Sequence, residues 1–188
     1  MNTETTRTQI MQHAQRLVQE RGYNGFSYRD ISALIGIKTS SIHYYFPQKE
    51  DLLLAVVQQY HARWQAAVQA IDTSLSADAK LRAYVEMHRQ TFCNTERICL
   101  AAALAAELAS LPTDVRRAIQ DIYGANEEWL AQVLEQGVRE GSLCVPGDVG
   151  TAARSMFAAL QGSLVTARLF NNSNRIKDLL QAVLTLRE

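Results

Sequence analysis

The chain has 188 residues, and its 19 basic side chains balance 19 acidic ones to a formal net charge of zero. That length buries roughly 70% of the unfolded surface, enough for one or two cored domains, while the neutral balance excludes the overall basic footprint that many nucleic-acid binders carry. Cys93, Cys99 and Cys144 match no zinc spacing, no apolar run reaches membrane length, and the polar start MNTETTRTQ lacks a secretory leader's apolar stretch, so reduced thiols, no membrane partner and a cytoplasmic location are expected.

Only three prolines and nine glycines interrupt a sequence rich in Ala, Leu, Gln, Glu and Arg, which predicts an all-α fold. From about Glu4 to Arg21, Ile10, Ala14, Leu17 and Val18 make one apolar stripe, and Gly22 closes the helix before Tyr23 and Phe26 enter the core. Arg7, near the start, is either a phosphate contact or part of a frayed end.

The stretch Ser27–Lys49 carries the chemistry. Ser27 and Asp30 have the spacing of a capping box, and Ile31, Leu34 and Ile35 follow on one helical face. Gly36 sits where the chain must turn, since a residue without a β-carbon takes the left-handed conformation at least cost. A second helix over about Thr39–Phe46 puts Ile42, Tyr45 and Phe46 on one side. Ser40 and Tyr44 lie on the other, flanked by Ser41 and His43, with Thr39 at the leading end. Small hydroxyls, an imidazole and a phenol suit hydrogen bonds to phosphates and base edges better than packing. Pro47 ends the element, and Lys49 opens the next helix where its ammonium would meet a phosphate. The pattern is that of a helix-turn-helix, with Ser27, Thr39, Ser40, Ser41, His43, Tyr44 and Lys49 as the candidate DNA-binding residues, the alternative on spacing alone being an ordinary solvated helix face.

After Lys49, helical spacing continues through Leu53, Val56, Val57, Tyr60, Trp64, Ala67, Val68 and Ile71, predicting one long connecting helix that ends near Asp72–Ser76. Ala77–Thr95 carries Leu81, Tyr84, Val85, His88 and Phe92 on one stripe, where His88 is either a core histidine satisfied by a tyrosine or carbonyl, or a ligand contact. An Ala-rich helix over Ile98–Ala109 stops before Pro112, and a long helix from Thr113 to Glu140 ends at Gly141. Asp148 caps a helix running to about Phe170 that is apolar nearly all round, from Met156, Phe157, Leu160, Leu164, Val165 and Leu169 together with small Ala158, Ala159, Gly162 and Ser163. The last helix, about Arg175–Arg187, adds Ile176, Leu179, Leu180, Val183, Leu184 and Leu186. Two such helices look like half of a four-helix bundle completed by a second copy, which predicts a homodimer.

Over Thr6–Val57 these residues resemble the TetR family of bacterial transcriptional regulators. The match runs through Gly22, Tyr23, Gly25, Phe26, Ser27, Asp30, Ile31, Gly36 and Ile37, then His43, Tyr44, Tyr45, Phe46, Pro47, Lys49, Glu50 and Leu52. One departure is that family members usually read Tyr-His-Tyr-Phe where this chain reads His43-Tyr44-Tyr45-Phe46. The resemblance implies a three-helix DNA-binding domain over residues 1–48, and an effector-binding and dimerisation domain over residues 49–188. Its activity would be that of a repressor which binds a palindromic operator as a homodimer and is released by a small-molecule effector.

The candidate ligand-binding residues are Tyr60, Trp64, Tyr84, His88, Phe92, Cys99, Tyr123, Trp129 and Phe157, aromatic or apolar groups with a few polar tips. Cys99 has two readings. It opens the Ala-rich helix beside Arg97, where a helix N-terminus and a cation favour a reactive thiolate, and the run ICLAAALAAELASLP looks like that region of regulators that sense electrophiles. The other reading is an inert core thiol. No cofactor, metal site or catalytic residue is expected, since the chain has no metal-ligand cluster, phosphate loop or nucleophile signature. The rival functions are an architectural DNA-binding protein without effector and a helical enzyme.

Overall fold

The computed structural model describes residues 3–95 and 97–184. Its helices are α1 (Thr3–Arg21), α2 (Tyr28–Ile35), α3 (Thr39–Tyr45), α4 (Lys49–Gln69), α5 (Ala77–Thr95), α6 (Leu100–Ala105), α7 (Thr113–Glu140), α8 (Val149–Leu169) and α9 (Asn174–Leu184). The described residues contain no strand, and none of their helices is long and apolar enough to cross a membrane.

By contact the chain forms two compact units that do not follow its order. One takes the residues up to Trp64 together with Cys99–Ile122, and the other takes Gln65–Ile98 and the residues from Tyr123 on. The division falls inside α4 and α7, each of which runs from one unit into the other.

In the first unit the α1 stripe of Ile10, Ala14, Leu17 and Val18 is buried as its spacing requires, together with Tyr23, Phe26, Tyr28, Ile31, Ile42 and Phe46. Leu34 departs from expectation: it is 49% exposed, because at about 100° per residue it stands 60° to one side of the fully buried Ile31. Arg7 lies within α1 with its guanidinium 5.0 Å from the Phe46 ring centroid, so its side chain is engaged inside the fold. The Ala-rich segment is also shorter than its composition suggests. After α6 a 3₁₀ turn over Leu108–Ser110 leads to Leu111, which is extended because Pro112 follows.

The turn after α1 explains that interruption. Gly22 has φ +79°, and the Glu107 carboxylate lies directly over it, with Oε1 accepting the Tyr23 N–H at 2.9 Å. Oε2 accepts from the Asn24 backbone N–H at 3.3 Å and from its side-chain amide at 3.1 Å. Two amides of the loop after α1, which no helical ladder satisfies, thereby find their partner in a residue 84 and 83 positions away.

In the second unit α5, α8 and α9 pack together. The buried side of α8 holds Ala153, Met156, Phe157, Leu160, Leu164 and Ala167, and Asp148 caps it by accepting the Thr151 N–H at 2.7 Å. Its opposite side is bare. Thr151, Ser155, Ala158, Gly162, Val165 and Leu169 follow one another at alternating four- and three-residue steps, and all are exposed, Leu169 to 74%. Ile176 of α9 is buried. The expected contributions of Val183 and Leu184 side chains, of Leu186 and of a helix end at Arg187 lie outside the described residues.

A β-carbon at position 22 would stand 1.9 Å from Glu107 Oε1 on a left-handed backbone. Gly22→Ala is therefore expected to cost about 2 kcal/mol or more in urea unfolding. The same change at Gly36, which has a similar φ but open space around it, should cost less.

Candidate functional site

The helix-turn-helix is assembled from two short helices that need outside support, since isolated helices of this length do not persist. Ser27 donates both its N–H and its hydroxyl to Asp30 Oδ2, each at 2.7 Å, and these bonds hold the Asp30 carboxyl below the usual carboxylate range. Gly36, at φ +75°, ends α2 with its N–H on the Ser32 carbonyl at 2.9 Å, and the Ser32 hydroxyl reaches forward to the Ile37 carbonyl at 2.5 Å. The buried Tyr28 hydroxyl donates to the Phe46 carbonyl at 2.9 Å, tying the start of α2 to the end of α3. Burial first, then the nearby carboxylates of Asp51 and Glu50, keep this phenol in its donating form.

With Ile42 and Phe46 fixed inward, the other face of α3 is turned out. Ser40, His43 and Tyr44 are exposed, Tyr44 to 79%, and Thr39 and Ser41 flank them half-buried. The His43 ring packs edge-on against Tyr28 at 4.8 Å, and its Nδ1 lies 3.2 Å from the Pro47 carbonyl, which leaves Nε2 facing outward. A stripe of hydroxyl, imidazole and phenol thus stands on a braced helix, the arrangement that hydrogen bonding to base edges and phosphates requires.

Lys49 is placed differently from the expectation. Its ammonium donates to the Tyr23 and Phe26 carbonyls, both at 2.6 Å, and sits 4.4 and 4.2 Å from the centroids of their rings. Burial draws its pKa down, opposed by the charges of Glu50, Glu107 and Asp30. The physical reason is that the loop joining α1 to α2 has carbonyls without a helical ladder, and a cation at the start of α4 supplies their partner. Two further cations stand exposed at the helix starts, Arg29 in the first turn of α2 and Lys38 at the cap of α3, neither in a hydrogen bond or ion pair among the described residues. Their position immediately beside the capping residues was the available signal.

The nine ligand candidates fall into separate groups. In the first unit Cys99 is buried at the cap of α6, and its sulfur receives the Tyr60 hydroxyl at 3.4 Å, while Trp64 lies 6.1 Å from the His61 ring. In the second unit the Tyr84 hydroxyl donates to Asn126 Oδ1, and its ring stacks on Trp129 at 4.9 Å and meets His88 at 4.7 Å. His88 Nδ1 lies 3.0 Å from the Tyr84 carbonyl, the arrangement of a satisfied core histidine. Tyr123 meets Phe157 edge-on at 5.1 Å, and Phe92 is buried. Among the cavities of this unit are two lined by described residues. The larger, about 530 Å³, is lined mainly by the 143–148 turn and by α8 from Thr151 to Ala159, and includes none of the nine. The smaller, about 420 Å³, includes only Trp129.

Comparison with known proteins places these features. Residues 10–56 match the family model described as bacterial regulatory proteins, tetR family, and residues 77–183 match a tetracyclin repressor-like C-terminal domain. A TetR-family regulator from Agrobacterium tumefaciens superposes with a TM-score of 0.93 at 30% identity, over 98% of each chain. One from Legionella pneumophila gives 0.85, also at 30%, over 97% of this chain and 96% of that one. The HTH-type transcriptional repressor NemR of Escherichia coli is 24% identical over 97% of this chain and 96% of its own length.

Lys49→Met removes a charged donor from two carbonyls, and is expected to lower the unfolding free energy by about 2 kcal/mol, a value reduced for the partial exposure of the ammonium. Lys38→Gln should leave stability within about 0.5 kcal/mol of the parent in the same urea titration.

His88 generates a pH dependence. Burial holds its imidazole below the ordinary value of 6.5 despite the Tyr84 carbonyl. The unfolded chain then takes up a proton first, so this contribution is complete above about pH 6.5 and is lost as the pH falls toward the lower folded value. Unfolding titrations across that range should show a shallower slope for His88→Gln than for the parent.

Proposed function

Because the chain belongs to the tetR family of bacterial regulatory proteins, a family of DNA-binding transcriptional regulators, we propose that it acts as a repressor which binds a palindromic operator as a homodimer and is released by a small-molecule effector. The observation that carries the DNA-reading part is the exposed stripe of Ser40, His43 and Tyr44 on a helix whose opposite face is locked by Ile42 and Phe46. In this reading residues 1–48 hold the DNA-reading part and residues 49–188 the effector and dimer functions. Ser40 and Tyr44 meet base edges, Thr39, Ser41 and His43 stand at their margins, and Arg29 and Lys38 take phosphates. Ser27 serves its helix cap and Lys49 its loop.

The dimer is supported by the exposed α8 stripe. Small residues at Ser155, Ala158 and Gly162 permit close helix approach, and Val165 and Leu169 supply apolar area at the four-and-three spacing of a helix-packing seam. A short recognition helix makes few base contacts, so two copies on a two-fold axis reading half-sites one turn apart raise both affinity and selectivity.

Release requires that the effector prefer the DNA-free state. A shift from 1:99 to 99:1 takes about 5.5 kcal/mol of preference, and operator must weaken effector binding by the same factor that effector weakens operator binding. α4 and α7, which run through both compact units, are the elements such a signal would travel along. Cys99, buried and receiving the Tyr60 hydroxyl, serves as a packing thiol in this reading.

Selection from a random duplex pool, followed by anisotropy titration, tests the proposal. The parent should enrich an inverted repeat, Lys38→Gln should weaken all sequences alike and reduce the salt slope by about one, and Ser40→Ala should change base preference at one position of each half-site. Val165→Asp should yield a monomer by light scattering and lose operator affinity. No preference for any inverted repeat over random duplex at moderate salt defeats the reading.

A further inference from the structure

The smaller cavity of the second unit has a lining that operator recognition does not use. It is enclosed by the end of α4 and the turn after it, the first turn of α5, and the C-terminal half of α7. Its volume of about 420 Å³ falls in the range of small-molecule sites.

The lining is amphipathic. Val68, Ile71, Val133 and the indole of Trp129 form an apolar wall, and the Trp129 ring is pinned by stacking on the buried Tyr84 at 4.9 Å and 25°. The other part of the lining carries two cations, Lys80 and Arg139, and no acidic residue. Lys80 is half-buried and spends one donor on Gln136 Oε1 at 2.7 Å. Gln136 is held in that orientation because its amide nitrogen donates to the Leu75 carbonyl at 3.0 Å and to Glu140 Oε1 at 2.5 Å. Two donors of the Lys80 ammonium remain.

Arg139 comes three positions after Gln136, on the same side of α7, and enters no hydrogen bond or ion pair among the described residues. Two carboxylates act on the Lys80 charge and neither lines the cavity: Asp72 accepts the Ser74 N–H at 2.8 Å and its hydroxyl at 2.7 Å, and the other is Glu140. It is occupied by the Ala77 N–H at 3.1 Å, by Gln136 and by the Ser142 hydroxyl at 3.3 Å. A cavity with a fixed apolar wall and two cations that form no ion pair within 4 Å among the described residues is complementary to one class of molecule, an apolar group ending in a carboxylate.

We propose that this cavity binds a small amphipathic carboxylate, its apolar part against Trp129, Val68, Ile71 and Val133, and its carboxylate between Lys80 and Arg139. The binding needs no operator and is read directly.

Titration calorimetry of the full chain near neutral pH, with octanoate and uncharged octanol as probes, tests it. Octanoate should bind once per chain and at least tenfold tighter than octanol, and added salt should weaken the acid alone. Arg139→Gln, at an exposed position, should weaken octanoate about tenfold and leave octanol unchanged, and Lys80→Met should do the same if it folds. Absence of octanoate uptake at millimolar concentration, equal binding of acid and alcohol, or unchanged octanoate affinity in Arg139→Gln overturns the proposal.

Discussion

The loop between α1 and α2 has no secondary structure of its own, and the arrangement of the first unit depends on how its polar backbone groups are satisfied. Its amides at Tyr23 and Asn24 go to the Glu107 carboxylate, and its carbonyls at Tyr23 and Phe26 go to the Lys49 ammonium. A buried backbone group without a partner costs as much as a lost hydrogen bond. One anion and one cation, drawn from the segment after α6 and from the start of α4, therefore fix six residues that no ladder would hold. Gly22 makes the arrangement possible, because a β-carbon there would occupy the place of the carboxylate. α2 and α3 hang from that loop, and at eight and seven residues they have too little intrinsic stability to set their own orientation.

This division between what is held and what is left free organises the functional surfaces as well. On α3 the apolar residues and the Tyr28–Phe46 bond use one face completely, so the hydroxyls and the phenol opposite are available to a partner. On α8 Met156, Phe157, Leu160 and Leu164 go inward, and a stripe of small residues with Val165 and Leu169 remains exposed. In the second unit the aromatic residues pair with one another, Tyr84 with Trp129 and Tyr123 with Phe157, and the Trp129 indole also forms part of the wall of the smaller described cavity.

Features set by near neighbours were legible in the sequence. The Ser27–Asp30 cap, the turn at Gly36, the Asp148 cap and the stop at Gly141 depend on residues within four positions, and helix limits read from them agree with the structure closely. The outward face of α3 was legible for the same reason. Features set by distant partners were not. Nothing local to Lys49 indicates that its ammonium turns toward carbonyls 23 and 26 positions earlier, and Glu107 sits in an Ala-rich run whose composition suggests an unbroken helix. The nine aromatic and apolar ligand candidates stand on apolar stripes, where the same spacing serves packing and ligand contact alike. The residues around the second unit's cavities, among them Lys80, Gln136 and Arg139, are polar side chains on a helix surface and carry no such signature.

Residue-resolved hydrogen exchange in the parent and in Glu107→Ala measures the central constraint most directly. The account predicts that the amides of Tyr23 and Asn24 are protected in the parent and exchange at least tenfold faster in the variant, with the amides of α2 and α3 following them in part. Unchanged exchange at Tyr23 and Asn24 would contradict it, because the loop would then be held by something other than the carboxylate.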